Sequence, residues 1–271
     1  MKRIASAILR KVVELIARMP FGNHRCVVCG HSLARFLPYR GGSRNVPALM
    51  QALEMVGSDV EHFSCPWCYS HDRERHLFLF MQAAGFFSFM SGKRVLHFAP
   101  ERHLSRFIEG AKPSEHIKCD LHPWADDIVQ ADLMALPFPD SHFDLLIANH
   151  VLEHVDDDKR AVAEIVRVLR PDGFAILQTP FSNVLESTWE DEGIRSADAR
   201  LQAFGQEDHV RLFGKDVFER IAREGLESRV QSHEELLGSC SSRRFGLNQR
   251  EPFFLFVKPR ALSYSVREGA Q

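Results

Sequence analysis

Short apolar runs alternate with helical patterns between residues 94 and 180. Val95-Leu96-His97-Phe98 reads as a strand, and Ile117-Lys118-Cys119-Asp120 as a second that stops on a carboxylate. Asp132 falls in a turn over Gln130 to Leu133, and Phe143 to Asn149 reads as a fourth strand position. A helix is predicted over about 157–169, closed by Pro171-Asp172-Gly173, with Phe174 to Thr179 as the fifth strand. Strands interleaved with helices predict an α/β fold with a parallel sheet covered on both faces. Further on, a helix over 215–223 and strands over 226–232 and 252–258 predict a closing antiparallel pair. Such sheets bind ligands outside the carboxyl ends of their strands, where strand order reverses.

A carboxylate at the end of the second strand can accept hydrogen bonds from both hydroxyls of a ribose. Asp120 has that place, and Asp132 follows on the next turn. The stretch from Asp132 through Leu136-Pro137-Phe138 and Asp140 to Phe143-Asp144 closely resembles class I S-adenosylmethionine (SAM)-dependent methyltransferases, where it links the adenine-binding turn to the fourth strand. Asn149-His150-Val151-Leu152-Glu153-His154-Val155 and Leu169-Arg170-Pro171-Asp172-Gly173 continue the match. The resemblance covers roughly residues 93–258. It implies a Rossmann-like seven-stranded sheet with one antiparallel strand. It also implies a SAM site at His97, Ala99, Pro100, Glu101, Asp120, Leu121, Asp132, Leu133, Asn149 and His150.

The first loop departs from the family. It is usually acidic and glycine-rich, because glycine lets backbone approach the cofactor closely. Here it reads His97-Phe98-Ala99-Pro100-Glu101, without glycine. We expect a variant loop in which Ala99 permits the approach and Glu101 supplies the missing carboxylate. Such a loop resembles that of a bacterial methyltransferase subgroup, type 11-like, that carries a cysteine-containing segment in front.

This chain has that segment. Cys26-Val27-Val28-Cys29 and Cys65-Pro66-Trp67-Cys68 are paired-cysteine turns, and four thiolates can complete a closed tetrahedral shell for structural zinc. Their separation exceeds ordinary zinc-ribbon spacing, so the intervening residues must loop out. His24, His31, His62 and His71 lie nearby as substitutes. Two disulfides or free thiols are the rival; without a visible signal peptide, a cytoplasmic chain with reduced thiols and a metal is expected. Arg73 and Arg75 follow the second turn, in a run that resembles the same subgroup, and can hold a phosphate or carboxylate of a substrate.

Charge changes the picture at one end. The net charge of −2 conceals +7 over residues 1–94 and −9 over the remainder. A basic front favours an anionic partner: nucleic acid, an acidic lipid surface or a phosphorylated sugar carrier. Ile4, Ile8, Val12, Leu15, Ile16 and Met19 recur at helical spacing among basic residues, predicting an amphipathic helix before Met19-Pro20-Phe21-Gly22. Packing of its apolar face is the commoner fate; peripheral membrane contact through residues 1–20 is the alternative.

The loop Phe204 to Gly214, FGQEDHVRLFG, resembles a loop of the subgroup and supplies catalytic candidates. His209 is placed as a general base, Asp208 or Glu207 as its orienting group, and Arg211 as an anion binder, with His150 and His154 as runners-up for the base. Residues 189–204 form a polar insertion that can cover an acceptor. No hydrolase elbow, Walker loop or HExxH motif is present.

Four parts result: a basic helix at 1–22, a zinc-binding segment with its linking helix at 23–92, a SAM-dependent methyltransferase domain at 93–260, and a tail at 261–271. The expected activity is methyl transfer to a sugar, polysaccharide precursor or other small metabolite. An RNA base methyltransferase with a zinc knuckle and a non-catalytic scaffold of this fold are the alternatives; nucleic acid is not the favoured partner, and the oligomeric state stays open.

Overall fold

The structure is a computed structural model and describes residues 11–260. The amino-terminal half of the predicted first helix therefore lies outside the described residues, as does the tail.

The strands, in chain order, are β1 (His24–Arg25), β2 (Ser32–Leu33), β3 (Met55–Val56), β4 (Arg94–Phe98), β5 (Glu115–Asp120), β6 (Val129–Gln130), β7 (Phe143–Ala148), β8 (Leu169–Ile176), β9 (Phe181–Ser182), β10 (Trp189–Glu190), β11 (Arg211–Leu212), β12 (Glu227–Ser228) and β13 (Leu255–Val257). Seven of them form one sheet in the order β12-β13-β8-β7-β4-β5-β6. Only β13 runs antiparallel to its neighbours. Strand order reverses between β4 and β7, which places the expected ligand crevice at their carboxyl ends.

Alternation along the strands divides the core in two. Leu96, Phe98, Leu146, Ala148, Ala175 and Leu177 face one side, where Val162, Ile165, Val217 and Ile221 of two helices cover them. Val95, Leu145, Ile147 and Ile176 face the other, under Leu77, Phe80 and Met81 of the helix Asp72–Ala83 and Leu104 and Ile108 of the helix Arg102–Gly110. Period-two alternation inside continuous apolar runs is what a sheet buried on both faces requires.

Two predicted boundaries move. The helix after β7 ends at Val168, and β8 begins at once with Leu169, so Pro171-Asp172-Gly173 lies inside the assigned strand, beside a register shift against Phe143. The strand expected over 226–232 shrinks to Glu227–Ser228, an exposed edge pair that little apolar burial supports. The described part of the first helix, residues 11–17, rests on the cysteine segment through buried Ala17 and an Arg18 Nε bond to the Pro66 carbonyl. Its Val12, Leu15, Ile16 and Met19 stay at least 40% exposed.

The front segment is built on two knuckles with the same backbone. Gly30 N–H donates to the Cys26 carbonyl and Tyr69 N–H to the Cys65 carbonyl, both at 2.9 Å. Gly30 (φ 76°) and Tyr69 (φ 61°) take the left-handed conformation at equivalent positions. The segment joins the sheet domain by the antiparallel pair β3–β9 and by Arg75. That side chain is fully buried. Its five donors reach the carbonyls of His62, Phe63, Ser70, Phe245 and Gly246 at 2.5–3.2 Å, with the guanidinium over the Phe36 ring.

This corrects the expected role of Arg75: no donor remains for a substrate anion. Arg75→Ala strands five carbonyl acceptors, and we expect it to destabilise the protein by at least about 3 kcal/mol, read from denaturant midpoints.

Candidate active site

At the carboxyl end of β4 the chain turns through Ala99, whose φ of 49° is one that glycine normally supplies. The glycine-free loop thus makes the family's turn with an alanine. His97 is fully buried, stacked near His116, and its Nε2 lies 2.9 Å from Glu101 Oε2. It has no open face for a ligand; the expectation that it contacts cofactor is corrected to one of orienting Glu101. Asn149, at the end of β7, donates its Nδ2 to the other Glu101 oxygen, and its own Oδ1 is buried without a partner. Burial works to raise the Glu101 pKa, but His97 and Asn149 hold it below the ordinary value.

Asp120 closes β5 with Oδ1 accepting from the His122 amide at 2.8 Å, and the neighbouring Leu121 is 47% exposed. Asp132 accepts from the Met134 amide at 2.8 Å. Pairing of β5 with β6 holds these turns together, with the Ala131 amide on the Asp120 carbonyl. Pro100 is buried in the first loop. Leu133 is enclosed in the core, so its side chain is corrected from ligand contact to packing. Glu101, Asn149, Asp120 and Asp132 thus stand at the strand ends flanking the reversal. An orphaned amide oxygen and two carboxylates with unused lone pairs suit a nucleoside and an amino group.

Beyond His150 opens a cavity of about 1040 Å³. Three regions wall it: residues 39–63 of the front segment, the helix Ala197–Phe204 of the insertion with its following loop, and the sheet edge at His150, Pro180 and His209. Phe204 and Ala203 pack on Met50, so the insertion is fastened to the front segment. Asn248 and Arg250 complete the lining, and Arg73 reaches it too. Among the described residues Arg73 has no ion-pair or hydrogen-bond partner, unlike Arg40, which pairs with Glu207 at 2.5 Å.

The catalytic candidates divide. Arg211 is 2% exposed, and its guanidinium holds the carbonyls of Leu152, Val155 and Asp156 at 2.5–2.8 Å, with Glu190 and Asp158 beside it. It pins the loop after β7, which corrects its expected role as an anion binder. His209 is 3% exposed and lines the cavity; its Nδ1 meets the Phe204 carbonyl at 2.9 Å. Asp208 is turned away from it, onto His154 Nδ1 at 3.3 Å. Glu207 is spent on Arg40.

A row of buried titratable groups, of which the sequence reading singled out only His150 as a site residue, runs behind the cavity. His150 Nδ1 lies 3.2 Å from Glu153 Oε1 and its Nε2 3.5 Å from Glu251 Oε1; Glu251 Oε2 meets His76 Nδ1 at 3.0 Å, and His76 Nε2 meets His233 at 2.9 Å. Burial and Arg73 push the His150 pKa down, but the two carboxylates win and raise it. Glu251 sits far from the earlier motifs in sequence, and an isolated carboxylate in EPF gave no signal. Burial opposes its ionisation, yet His150 and His76 hold its pKa down to about 2 from 4.5. A carboxylate so depressed adds stability that is complete above 4.5 and lost as pH falls toward 2. Glu251→Gln should therefore flatten the stability curve on the acid side, seen in denaturant midpoints between pH 5 and 3.

The four knuckle sulfurs converge, with Cys26–Cys68 at 3.7 Å and Cys29–Cys65 at 3.8 Å; all ligand atoms lie within 4.8 Å of one another. These cysteines are free thiols, not disulfides. No helix among the described residues is long and apolar enough to cross a membrane.

The family described as "Methyltransferase domain" matches residues 93–177. A ubiquinone/menaquinone biosynthesis C-methyltransferase of Shewanella halifaxensis is 49% identical over 45 residues, 17% of this chain and 18% of that protein. A probable S-adenosylmethionine-dependent methyltransferase of Mycobacterium tuberculosis is 41% identical over 54 residues, 20% of each chain. An uncharacterized methyltransferase of Mycobacterium sp. is 34% identical over 105 residues, 36% of this chain and 41% of that one. These alignments thus span less than half of each relative's length. A S-adenosylmethionine-dependent methyltransferase structure from Mesorhizobium loti has 17% identity and a TM-score of 0.45, covering 65% of this chain and 94% of that one. The cyclase SpnF has 14% identity and a TM-score of 0.47, covering 93% of each. Residues 93–177 match the methyltransferase domain family and lie in a seven-stranded sheet of Rossmann-like order.

Proposed function

We propose that this chain is a SAM-dependent methyltransferase acting on a hydroxyl of a sugar, a polysaccharide precursor or another small metabolite. The observation that carries the reading is the adjacency of two features. The strand ends bearing Glu101, Asn149, Asp120 and Asp132 suit the cofactor, and His150, directly after Asn149, lines the 1040 Å³ cavity. SAM when bound supplies an electrophilic methyl group. The protein's part is alignment and the exclusion of water. With the cofactor bound, Asp120 would receive the ribose hydroxyls, Asp132 would serve the adenine end, and Glu101 with Asn149 would hold the amino end. Arg73 offers the cavity a cation for an anionic part of the acceptor. The hydroxyl proton leaves toward His209, which lines the cavity. The half-open cavity has room for a small acceptor; nothing favours the RNA-base or scaffold readings. Contact of the exposed apolar side of residues 11–21 with a membrane stays a secondary proposal.

The four thiolates hold structural zinc in this reading. Tetrahedral zinc with Zn–S bonds near 2.3 Å separates its sulfurs by about 3.8 Å, the spacing seen at Cys29–Cys65. Zinc fixes residues 23–71, and through them one wall of the cavity. Cys65→Ser should remove one equivalent of zinc by metal analysis and lower the melting temperature.

Calorimetric titration with S-adenosylhomocysteine tests the cofactor site. We expect binding by the intact protein, weakened about 10- to 100-fold by Asp120→Ala, the worth of a charge-assisted bond pair. No binding by folded protein overturns the reading.

A further inference from the structure

The front wall of the cavity carries a row of rings that ends on an unspent cation. Tyr39, Phe63 and His71 all line the cavity. The Tyr39 and Phe63 centroids are 4.7 Å apart, and Phe63 and His71 stack at 4.3 Å. Arg73 lines the cavity two residues further on, and its charge works to lower the pKa of both His71 and His150. The guanidinium therefore lies close to both rings. His150 directly follows Asn149, so this is the end of the row nearest the strand ends that suit the cofactor.

Most polar groups on this wall have nothing to bind. Tyr39, Ser58, His71, Arg73 and Gln206 line the cavity, and none of these five side chains has a hydrogen bond to another described residue. Loss of solvent around His71, and then the charges of Arg73 and Arg75, hold its pKa down to about 4. Its ring is thus neutral at pH 7, with one N–H donor and one acceptor, the pairing that a hydroxyl answers. Of the three arginines on the lining, Arg40 is tied to Glu207 and Arg250 donates to the Met55 carbonyl, which leaves Arg73. The lining carboxylates do not pair with it: Asp59 is held by the His62 ring at 2.9 Å and by the amides of Glu61 and His62, and Glu54 is exposed. Neighbouring Asp72 is buried and accepts from the Asp59 amide.

An apolar acceptor that displaces water from this wall leaves each of these groups unpaired, at about 1–3 kcal/mol apiece. A ring bearing hydroxyls satisfies them, and its carbon face packs on the aromatic row. A guanidinium without a partner on a half-open cavity matches a carboxylate or a phosphate, which its planar fork holds bidentately. We propose that the acceptor is an acidic saccharide, whose methylated residue places a carboxylate or phosphate on Arg73 and lays its ring along His71 and Phe63. The inference rests on the reading of the cavity as an acceptor site, and it narrows the substrate from any small hydroxyl compound to an anionic sugar. A cavity of about 1040 Å³ has the size that holds a drug-sized ligand, so a second sugar ring fits beside Tyr39.

Ligand-observed ¹H and ³¹P NMR on the full chain, saturated with S-adenosylhomocysteine, tests this. The probes are the gluco- and galacto-configured uronates, their hexose 6-phosphates, the neutral hexoses and inorganic phosphate. We expect an acidic sugar to bind at least about tenfold more tightly than its neutral parent, the worth of one charge-assisted contact, and Arg73→Gln to abolish that advantage. Tyr39→Ala should weaken acidic and neutral sugars alike. Arg73 has no partner to lose, so its variant should keep the fold; melting temperature and S-adenosylhomocysteine titration are measured on each variant. Whether uronate or sugar phosphate binds more tightly identifies the acid, and either supports the proposal. Neutral sugars that bind as well as acidic ones overturn it, and so does a preference for acids that survives Arg73→Gln. Inorganic phosphate that binds as tightly as the sugar phosphates overturns the saccharide. Loss of S-adenosylhomocysteine affinity in Arg73→Gln assigns the arginine to the cofactor and overturns the proposal as well. No sugar binding by protein that binds S-adenosylhomocysteine overturns the acidic acceptor and spares the methyltransferase reading; no S-adenosylhomocysteine binding by folded protein sinks that reading instead.

Discussion

The guanidinium of Arg75 is the constraint on which the rest of this structure depends. It collects carbonyls from the second cysteine knuckle, at His62, Phe63 and Ser70, and from the carboxyl-terminal loop, at Phe245 and Gly246. Those two regions are about 170 residues apart in sequence. A neutral side chain cannot satisfy five carbonyls, and lysine has three donors without the planar fork. With the fork in place, the front segment is fixed against the sheet, residues 39–63 come to face His150 and His209, and a cavity exists. A buried cation surrounded by backbone dipoles serves here where a larger apolar interface would otherwise be needed.

Much of the fold was legible because it is local and periodic. Val95 to Phe98 and Phe143 to Ala148 are continuous apolar runs, and Asp120 and Asp132 sit at strand ends where sequence spacing alone puts them. Failures share one cause. Arg73 and Arg75 are two residues apart and look equivalent as letters, but on the helix Asp72–Ala83 they point to different surroundings, one to the cavity and one into the protein. Arg211 likewise reads as a loop cation beside a histidine, and its burial comes from strand β11 pairing with β10, which no local pattern announces. Glu251 and Glu153 became part of the site only through tertiary contact. Their burial is set by partners far along the chain.

The cavity belongs to no single part of the chain. The sheet provides its floor, the cysteine segment one wall, and the insertion another, with Met50 against Phe204 closing the seam. The family match ends at residue 177, before Pro180, His209 and Arg250. The strand ends at Glu101, Asp120, Asp132 and Asn149 lie within the family match, while most of the cavity lining lies outside it. Loops and appended segments commonly select the ligand in folds of this type.

The helix Arg102–Gly110 starts immediately after the first loop, and Glu74 of the front segment occupies its amino terminus, accepting from the amides of His103 and Leu104 at 2.9 and 3.0 Å. A helix amino terminus is a region of positive potential that ordinarily draws anions. Here the protein's own carboxylate has quenched it, and Glu101 adds a second negative charge nearby. The field at the first loop is thus biased toward cations. A region of that polarity disfavours free phosphate, so the front segment shapes both the cavity it lines and the electrostatic sign of the strand end beside it.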